Sequence, residues 1–577
     1  MDVGGPRQTC LVQIVLEQLD GGAIGATEID GTGNEKAIER VAREQLPAFV
    51  AAREHAGRGE AASEPVVSEQ RADAQPPRWV WDDTAVWYPE LLRAGVTIER
   101  CFDLRLTDAL LRNSPHTAAG YSALPAVQQR RHHDSADAAL FHLEQPAPPS
   151  MAPVAALQRQ QSALETSPAG LRLLVAAESA GALAAAEMGH AGLPWRRDEH
   201  ERLLASMLGA RPAEGYRPER LERLALAVAD ALGAPTINLD SPAELLRTLR
   251  SAGLAVETTR SHELQRLRHP AIAPLLEYKT LSRLWSANGW HWLDQWVHQG
   301  RFHPVFVPAG VVSGRWSSEG GGALQLPAVV RSAVRADEGW KLIVADAAQL
   351  EPRVLAAMSG DSAMARASSS GDLYQGMVDV GAVETRAQAK YGMLGAMYGG
   401  TTGESAKVLP RIARAFPRAI GFVEAAAQRG ERGMPVSSLL GRGSPEPSEA
   451  WRELQAAASA ESPDPVTVRR ARSAARSQGR FTRNFVVQAT AAEWALAWIA
   501  LLRGALRQRY GADHTTSPHL VFFVHDELIV HAPAHHAEDV RELMHRTAAD
   551  AGRLLFGESA VAFPVNAVVV DGYDEAK

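Results

Sequence analysis

The sequence predicts a multidomain α+β protein, and three observations carry that reading. The chain has 577 residues, more than a single hydrophobic core organises, so several domains follow. Two strand-like runs, residues 341–346 and 520–527, carry apolar residues up to an aspartate, Asp346 in the first and Asp526 in the second. From residue 171 to residue 296 the apolar spacing is helical instead. The two aspartate runs share one design, a buried strand that delivers a carboxylate to its exposed end. A pair of such carboxylates can hold two divalent cations, the minimal equipment for in-line phosphoryl transfer.

Composition narrows the class. At 46% hydrophobic and 22% charged the chain is ordinary globular material. It has no 18-residue apolar run and no signal-type stretch after its first residues, so neither a membrane span nor export is expected. Two cysteines, Cys10 and Cys101, make neither a disulfide framework nor a four-ligand zinc site. A soluble, reducing, intracellular setting follows. The net charge of −7 conceals a basic stretch: residues 403–484 hold 14 Arg or Lys against 8 Asp or Glu. Phosphates could bind there, although solvated helix faces explain most such arginines.

Residues 1–170 alternate short apolar runs with polar, Pro-containing ones, notably 57–77 and 145–153, and read as a loosely built domain with long loops. Helices are expected over 171–189, 197–208, 218–232 and 242–252, the last after the cap signal Asp240-Ser241. A long helix over 270–296 carries Trp285, Trp290, Trp292 and Trp296 as core anchors. A strand-like stretch, 302–308, and a Gly-rich loop, 318–322, follow. No repeat of solenoid period occurs.

The β-branched residues of 342–345, and the polar stretch that ends them, favour a strand finishing at Asp346. Pro352 suits the first turn of a following helix, which places Glu351 and Arg353 at the junction. A capping aspartate would look the same. The second run is more specific. Apolar residues flank His525-Asp526-Glu527 on both sides, the pattern of a covered β-hairpin whose tight turn carries all three. Between the two runs, Arg386, Lys390, Leu394 and Tyr398 recur every four residues and line one helix face. Cations at a helix start oppose its dipole, so a bound anion is expected to compensate them. Residues 399–407 lack the Gly-x4-Gly-Lys-Ser/Thr spacing of a phosphate loop.

Together these elements resemble motifs A, B and C of family A DNA polymerases, the bacterial DNA polymerase I group. Asp346, Gln349, Glu351 and Arg353 resemble motif A; Arg386, Lys390, Leu394, Tyr398 and Gly399 resemble motif B; His525, Asp526 and Glu527 resemble motif C. Residues 313–318, Ser-Gly-Arg-Trp-Ser-Ser, are similar to the family's T-G-R-L-S-S segment. Arg480, Asn484, Gln488 and Glu493 fall on its R-x3-N-x3-Q-G-T-A-A-D helix. The resemblance covers residues 171–577. It implies a right-hand polymerase, with an antiparallel palm sheet and helical fingers and thumb: thumb about 190–300, palm about 301–355 and 485–577, fingers about 356–484.

The resemblance also implies roles. Asp346 and Asp526 would bind two catalytic metals, Mg2+ or alternatively Mn2+, with Glu527 as an auxiliary acid. Arg386 and Lys390 would neutralise the incoming triphosphate, and Lys390 would protonate the pyrophosphate leaving group. Gln349, Tyr374, Leu394 and Tyr398 would border the nucleotide, and Glu351 would exclude a ribose 2′-OH. Arg315, Arg480, Asn484, Gln488 and His525 would contact the DNA. The implied partners are primer-template DNA and dNTPs, the implied state a monomer, and the implied location the bacterial cytoplasm at the nucleoid. Leu394 stands where the family has Phe or Tyr, Ala347 where it has Tyr, Pro352 where it has an apolar residue and Tyr374 where it has His.

The corresponding N-terminal domain in this family is an α/β, ribonuclease-H-like 3′–5′ exonuclease that needs an Asp-x-Glu pair. Residues 1–175 contain none, and Pro89 falls where a further aspartate is expected. Residues 1–170 are therefore expected to be a degenerate exonuclease-like domain without proofreading activity, with no room before it for a 5′-nuclease. His132, His133 and His142 read as surface residues rather than a metal site. Three functions stay open: a DNA polymerase, an inactive DNA-binding relative, and a nuclease with an auxiliary polymerase fold. A single-subunit RNA polymerase is a variant of the first, opposed by Glu351 and Glu527.

Overall fold

The computed structural model describes residues 12–30, 33–58, 75–117, 120–123, 151–369, 371–400 and 403–576. Cys10, His132, His133 and His142, and most of the stretches 57–77 and 145–153, lie outside them. The fold divides into two compact units. One comprises Met1–His190, Phe306–Ser317 and Ile343–Val568; the other comprises Ala191–Val305, Ser318–Leu342 and Val569–Lys577.

The larger unit begins with a five-stranded sheet built from β1 (Gln13–Gln18), β2 (Ile24–Ile29), β3 (Glu35–Val41), β4 (Arg78–Trp81) and β5 (Arg100–Asp103). Their order is β3-β2-β1-β4-β5. β1 to β3 form an antiparallel meander, while β4 pairs parallel to β1 and β5 parallel to β4. Alternate residues Ile14 and Leu16, and Trp79 and Trp81, share a core with Trp87, Tyr88 and Leu91 of the helix Thr84–Arg93. This part is packed, not loosely built. Its large aromatic side chains fill a core that short strands alone would leave thin.

Leu183, on the helix Ala169–Ala191, joins the same core. From the next turn of that helix, Glu187 accepts hydrogen bonds from Tyr88 Oη at 2.6 Å and from Arg503 Nε and Nη2 at 2.7 Å. Arg503 also donates to the carbonyls of Ile98 and Glu99 at 2.8 and 2.9 Å. Burial opposes ionisation of Glu187, yet Arg503 and Arg507 hold its carboxyl below the ordinary value. Arg503 belongs to the longest helix of the described residues, Pro465–Tyr510 (46 residues), capped by Asp464 accepting from Thr467 N at 3.0 Å. By length and composition this helix and Ala169–Ala191 could each cross a membrane, but 83% and 61% of their apolar windows are buried within the fold. They are core helices.

A second, four-stranded sheet has the order His519–Val524, Glu527–Pro533, Trp340–Ala347, Val565–Val570. The first two strands form the hairpin, with Val524 opposite Glu527. Its turn is His525-Asp526 alone. Glu527 opens the returning strand and is buried at 1% exposure, a correction to the three-residue turn read from the sequence.

The smaller unit contains the helices Arg197–Leu208, Glu219–Leu232 and Pro242–Ser251, with Ser241 capping the last by accepting from Glu244 N. The single helix expected over 270–296 is two, Ile272–Asn288 and Trp290–Trp296. They part at Gly289, which is extended, and whose place no Cβ could take because Trp285 O would lie 2.3 Å away. Trp290 and Trp292 are buried; Trp285 and Trp296 are only half-buried. The stretch 302–308 holds two short strands, Arg301–Phe302 and Val305–Val307.

Breaking a buried ion pair leaves a charge without its partner, which costs about 3–5 kcal/mol. Glu187→Ala is expected to lower unfolding stability by about that much, measured by chemical denaturation. A loss below about 1 kcal/mol would show that the pair does not clamp Arg503.

Candidate active site

The two aspartate-bearing segments meet through the backbone. Ala347 N donates to Asp526 O at 2.9 Å, fastening the end of the strand Trp340–Ala347 to the hairpin turn. Asp346 and Asp526 are thereby neighbours. Burial, and then the charge of Asp346, push the Asp526 carboxyl up to about 7, against the pull of Arg315. His525 adopts φ +57°, a left-handed conformation that costs a non-glycine residue on the order of 1–2 kcal/mol. That conformation lets a two-residue turn join the strands and sets Asp526 at its tip. Burial, followed by repulsion from Arg315, holds the His525 imidazole below its ordinary value.

Past Asp346 the chain turns into the helix Leu350–Ser359 through Gln349, also left-handed at φ +50°. Arg353 anchors this junction. Its buried guanidinium donates to the carbonyls of Ala348 (2.9 Å), Ser368 (3.0 Å), Ala562 (3.0 Å) and Gly371. Gln349 Oε1 accepts from Leu373 N at 3.2 Å. Glu351 receives an ion pair from Arg315 and a hydrogen bond from Tyr398 Oη at 2.9 Å. Burial, then the Glu351 charge, raise the Tyr398 phenol above its ordinary value.

The helix Arg386–Tyr398 presents Arg386, Lys390, Leu394 and Tyr398 on one exposed face, while Ala389, Met393, Ala396 and Met397 are buried. Gly392 and Gly395 permit this packing, since a Cβ would come within 2.2 Å of Ile412 and 2.7 Å of Ser405 on the helix Gly403–Ala415. Thr385 caps the start, accepting from Gln388 N. The compensating anion expected for Arg386 is internal: Asp372 Oδ2 accepts from its Nε at 2.7 Å, and its guanidinium lies 5.6 Å over the Tyr374 ring. Burial first, then the charge of Glu351, push the Tyr374 phenol up to about 12. Lys390 is exposed and pairs with no carboxylate among the described residues.

Arg480, Asn484 and Gln488 recur every four residues along Pro465–Tyr510. Gln488 Oε1 accepts from Ser313 Oγ at 2.7 Å, and Asn484 interacts with the Tyr398 phenol. The stem of Arg480 lies beside Gly399, where a Cβ would meet its Cγ at 2.8 Å. Sequence reasoning placed Arg353 at the junction and in motif A but gave it no role, and it gave none to Ser313 or Asp372. The signals were present: Asp372 precedes Tyr374 as a helix cap, and Arg353 follows Glu351 on the junction helix.

This constellation suits cation binding. Two carboxylates whose mutual repulsion resists ionisation are relieved by a divalent ion. Among the described residues no group of three or more His, Cys, Asp or Glu could hold a metal ion by itself. A cation bound by Asp346 and Asp526 would complete its shell with water and substrate oxygens, the usual Mg2+ mode.

Burial and the charge of Asp346 push the Asp526 carboxyl up from its ordinary 3.8 to about 7 in the fold. The folded state binds the extra proton between these values, so stability falls as pH rises through that window. In chelator, Asp526→Asn is expected to melt above the parent chain at about pH 8, by up to on the order of 4 kcal/mol, and to match it at about pH 4. Equal melting at both pH values would show that Asp526 carries no such strain.

Comparison with known proteins accords with this geometry. The chain is 28% identical over 411 residues to the thermostable DNA polymerase I of Thermus filiformis, covering 61% of this chain and 45% of that protein. It is 26% identical over 442 residues to the thermostable DNA polymerase I of Thermus aquaticus, covering 67% and 49%. The chain thus spans about half the length of the curated relatives it matches. Its fold matches the polymerase domain of Pol1 from M. smegmatis, solved with DNA primer-template and dNTP, at a TM-score of 0.65 and 17% identity over 98% of this chain and 96% of that one. The family profile described as DNA polymerase family A matches residues 216–569, and the chain belongs to that family.

Proposed function

We propose that this chain is a template-directed DNA polymerase that adds deoxynucleotides to a primer 3′ end by two-metal phosphoryl transfer. The observation that carries this reading is the Ala347–Asp526 backbone bond, which joins Asp346 to Asp526 beside Arg315, Glu351 and Tyr398. Mg2+ or Mn2+ ions held by Asp346 and Asp526 would activate the attacking oxygen and stabilise the leaving group. Lys390, exposed and paired with no carboxylate among the described residues, would meet the triphosphate and give a proton to the departing pyrophosphate. Arg386 supplies a second positive charge on exchanging Asp372 for phosphate. Glu351, fixed from two sides, crowds the sugar position and rejects a 2′-OH. Tyr374, Gln349, Leu394 and Tyr398 shape the nucleotide site, with Leu394 replacing ring stacking by an aliphatic contact. Arg315, Arg480, Asn484, Gln488 and His525 contact the duplex, the amides meeting minor-groove acceptors common to all base pairs.

In this reading the thumb is about 190–300, the palm about 301–355 and 485–577, and the fingers about 356–484. Residues 1–170 are an exonuclease-derived scaffold. The β3-β2-β1-β4-β5 order supports a ribonuclease-H-like origin. Asp103, at the end of β5, is occupied as a helix cap and accepts from Leu106 N, Thr84 N and Thr84 Oγ1 at 2.7–2.9 Å. Repair or gap filling by a monomer in the bacterial cytoplasm fits an enzyme without proofreading.

The test is primer extension with deoxy- or ribonucleotides. Asp526→Ala is expected to slow deoxynucleotide addition at least about a thousandfold; equal extension by both proteins overturns the assignment. Glu351→Ala is expected to improve ribonucleotide use about tenfold or more, and unchanged discrimination removes its gating role. Single-stranded DNA incubated with Mg2+ is expected to release no nucleotides; release that disappears on deleting residues 1–170 restores an active exonuclease.

A further inference from the structure

Loop 437–443 is seated on four elements of the larger unit. Leu439 N donates to Thr490 Oγ1 at 3.0 Å and Leu440 N to Glu493 Oε2 at 3.1 Å, both on Pro465–Tyr510, while Ser438 Oγ donates to Glu493 Oε1. On a second side Ser114 Oγ, from the N-terminal part, donates to Gly441 O at 2.7 Å. The loop closes on itself through Ser438 N to Arg442 O at 2.9 Å and Arg442 N to Ser438 Oγ at 2.8 Å. Arg442 is thereby fixed, and its guanidinium is buried in an ion pair with Glu178 of the helix Ala169–Ala191. The two side chains are 9% and 2% exposed, too enclosed for water to replace either partner.

The fourth element is the turn at Gly314. Gly314 has φ +85°, and a Cβ there would lie 2.6 Å from Arg442 Nε, so the guanidinium rests against the turn's backbone. Ser313 before it bonds Gln488, and Arg315 after it pairs with Glu351. A shift at Gly314 therefore reaches both contacts.

We propose that Arg442 and Glu178 are a positioning pair that holds the 313–315 turn so that Arg315 meets Glu351 beside the two aspartates. This deepens, and rests on, the polymerase reading above. It also ties the N-terminal part to the site: Glu178, on the helix that follows residues 1–170, feels the charge of Arg105 from beside Asp83 and Asp103.

Single-nucleotide incorporation on a primed template tests this in two backgrounds, the parent chain and Arg315→Ala. In the parent, Arg442→Gln and the isosteric Glu178→Gln are each expected to lower kcat/KM by about tenfold or more, with Arg442→Lys recovering part of it. In the Arg315→Ala background the same substitutions are expected to change kcat/KM by less than about twofold, because the contact they position is already gone. An equal loss in both backgrounds overturns the proposal, and so does no loss in the parent. Should Arg442→Gln fail to fold, as judged by circular dichroism, Glu178→Gln carries the same comparison. A parent chain that extends no primer overturns the polymerase reading itself, which separates the two failures.

Discussion

The backbone hydrogen bond from Ala347 to Asp526 joins two segments that the chain separates by all the helices from Leu350 to Tyr510. Neither carboxylate would choose that neighbour, since Asp346 makes ionisation of Asp526 harder. Strand pairing imposes it. The sheet is built from buried apolar residues such as Leu342, Ile343, Phe522 and Ile529, and their burial outweighs the repulsion at its end. A divalent cation bound between the two carboxylates would relieve that repulsion.

Around this pair the other groups are held, not merely present. Glu351 is fixed by Arg315 from one side and Tyr398 from the other, and Arg353 locks the junction that carries it. The cationic helix contributes differently. Arg386 already has an internal partner in Asp372, whereas Lys390 pairs with no carboxylate among the described residues. On the proposed reading, phosphate would compete with an existing ion pair at Arg386 and would meet no such competitor at Lys390.

Among the described residues of the N-terminal part no group of three or more His, Cys, Asp or Glu is placed to hold a metal ion, and several polar groups serve structure. Asp103 caps a helix, and Glu187, Tyr88 and Arg503 interlock the sheet with the long helix. Such buried ion pairs contribute little net stability compared with apolar packing, but they fix one arrangement, because every alternative leaves a charge stranded. Here the arrangement fixed is that of the helix bearing Asn484 and Gln488.

Much of this was legible in the residues. Local periodicity marked the face Arg386, Lys390, Leu394 and Tyr398, and apolar runs marked both aspartate strands, because these patterns depend on near neighbours alone. The same reasoning failed at Gly289, where a carbonyl clash breaks an otherwise continuous helix, and at Glu527, which strand register places in the core, not the turn. The sequence by itself determined which chemical groups this protein carries and the order of the elements that bear them. Tertiary structure alone decided that Asp372 balances Arg386, that Arg315 meets Glu351 and that Arg442 lies beneath Gly314. The reason is physical: those partners are distant along the chain, and only packing and strand register determine which charges become neighbours.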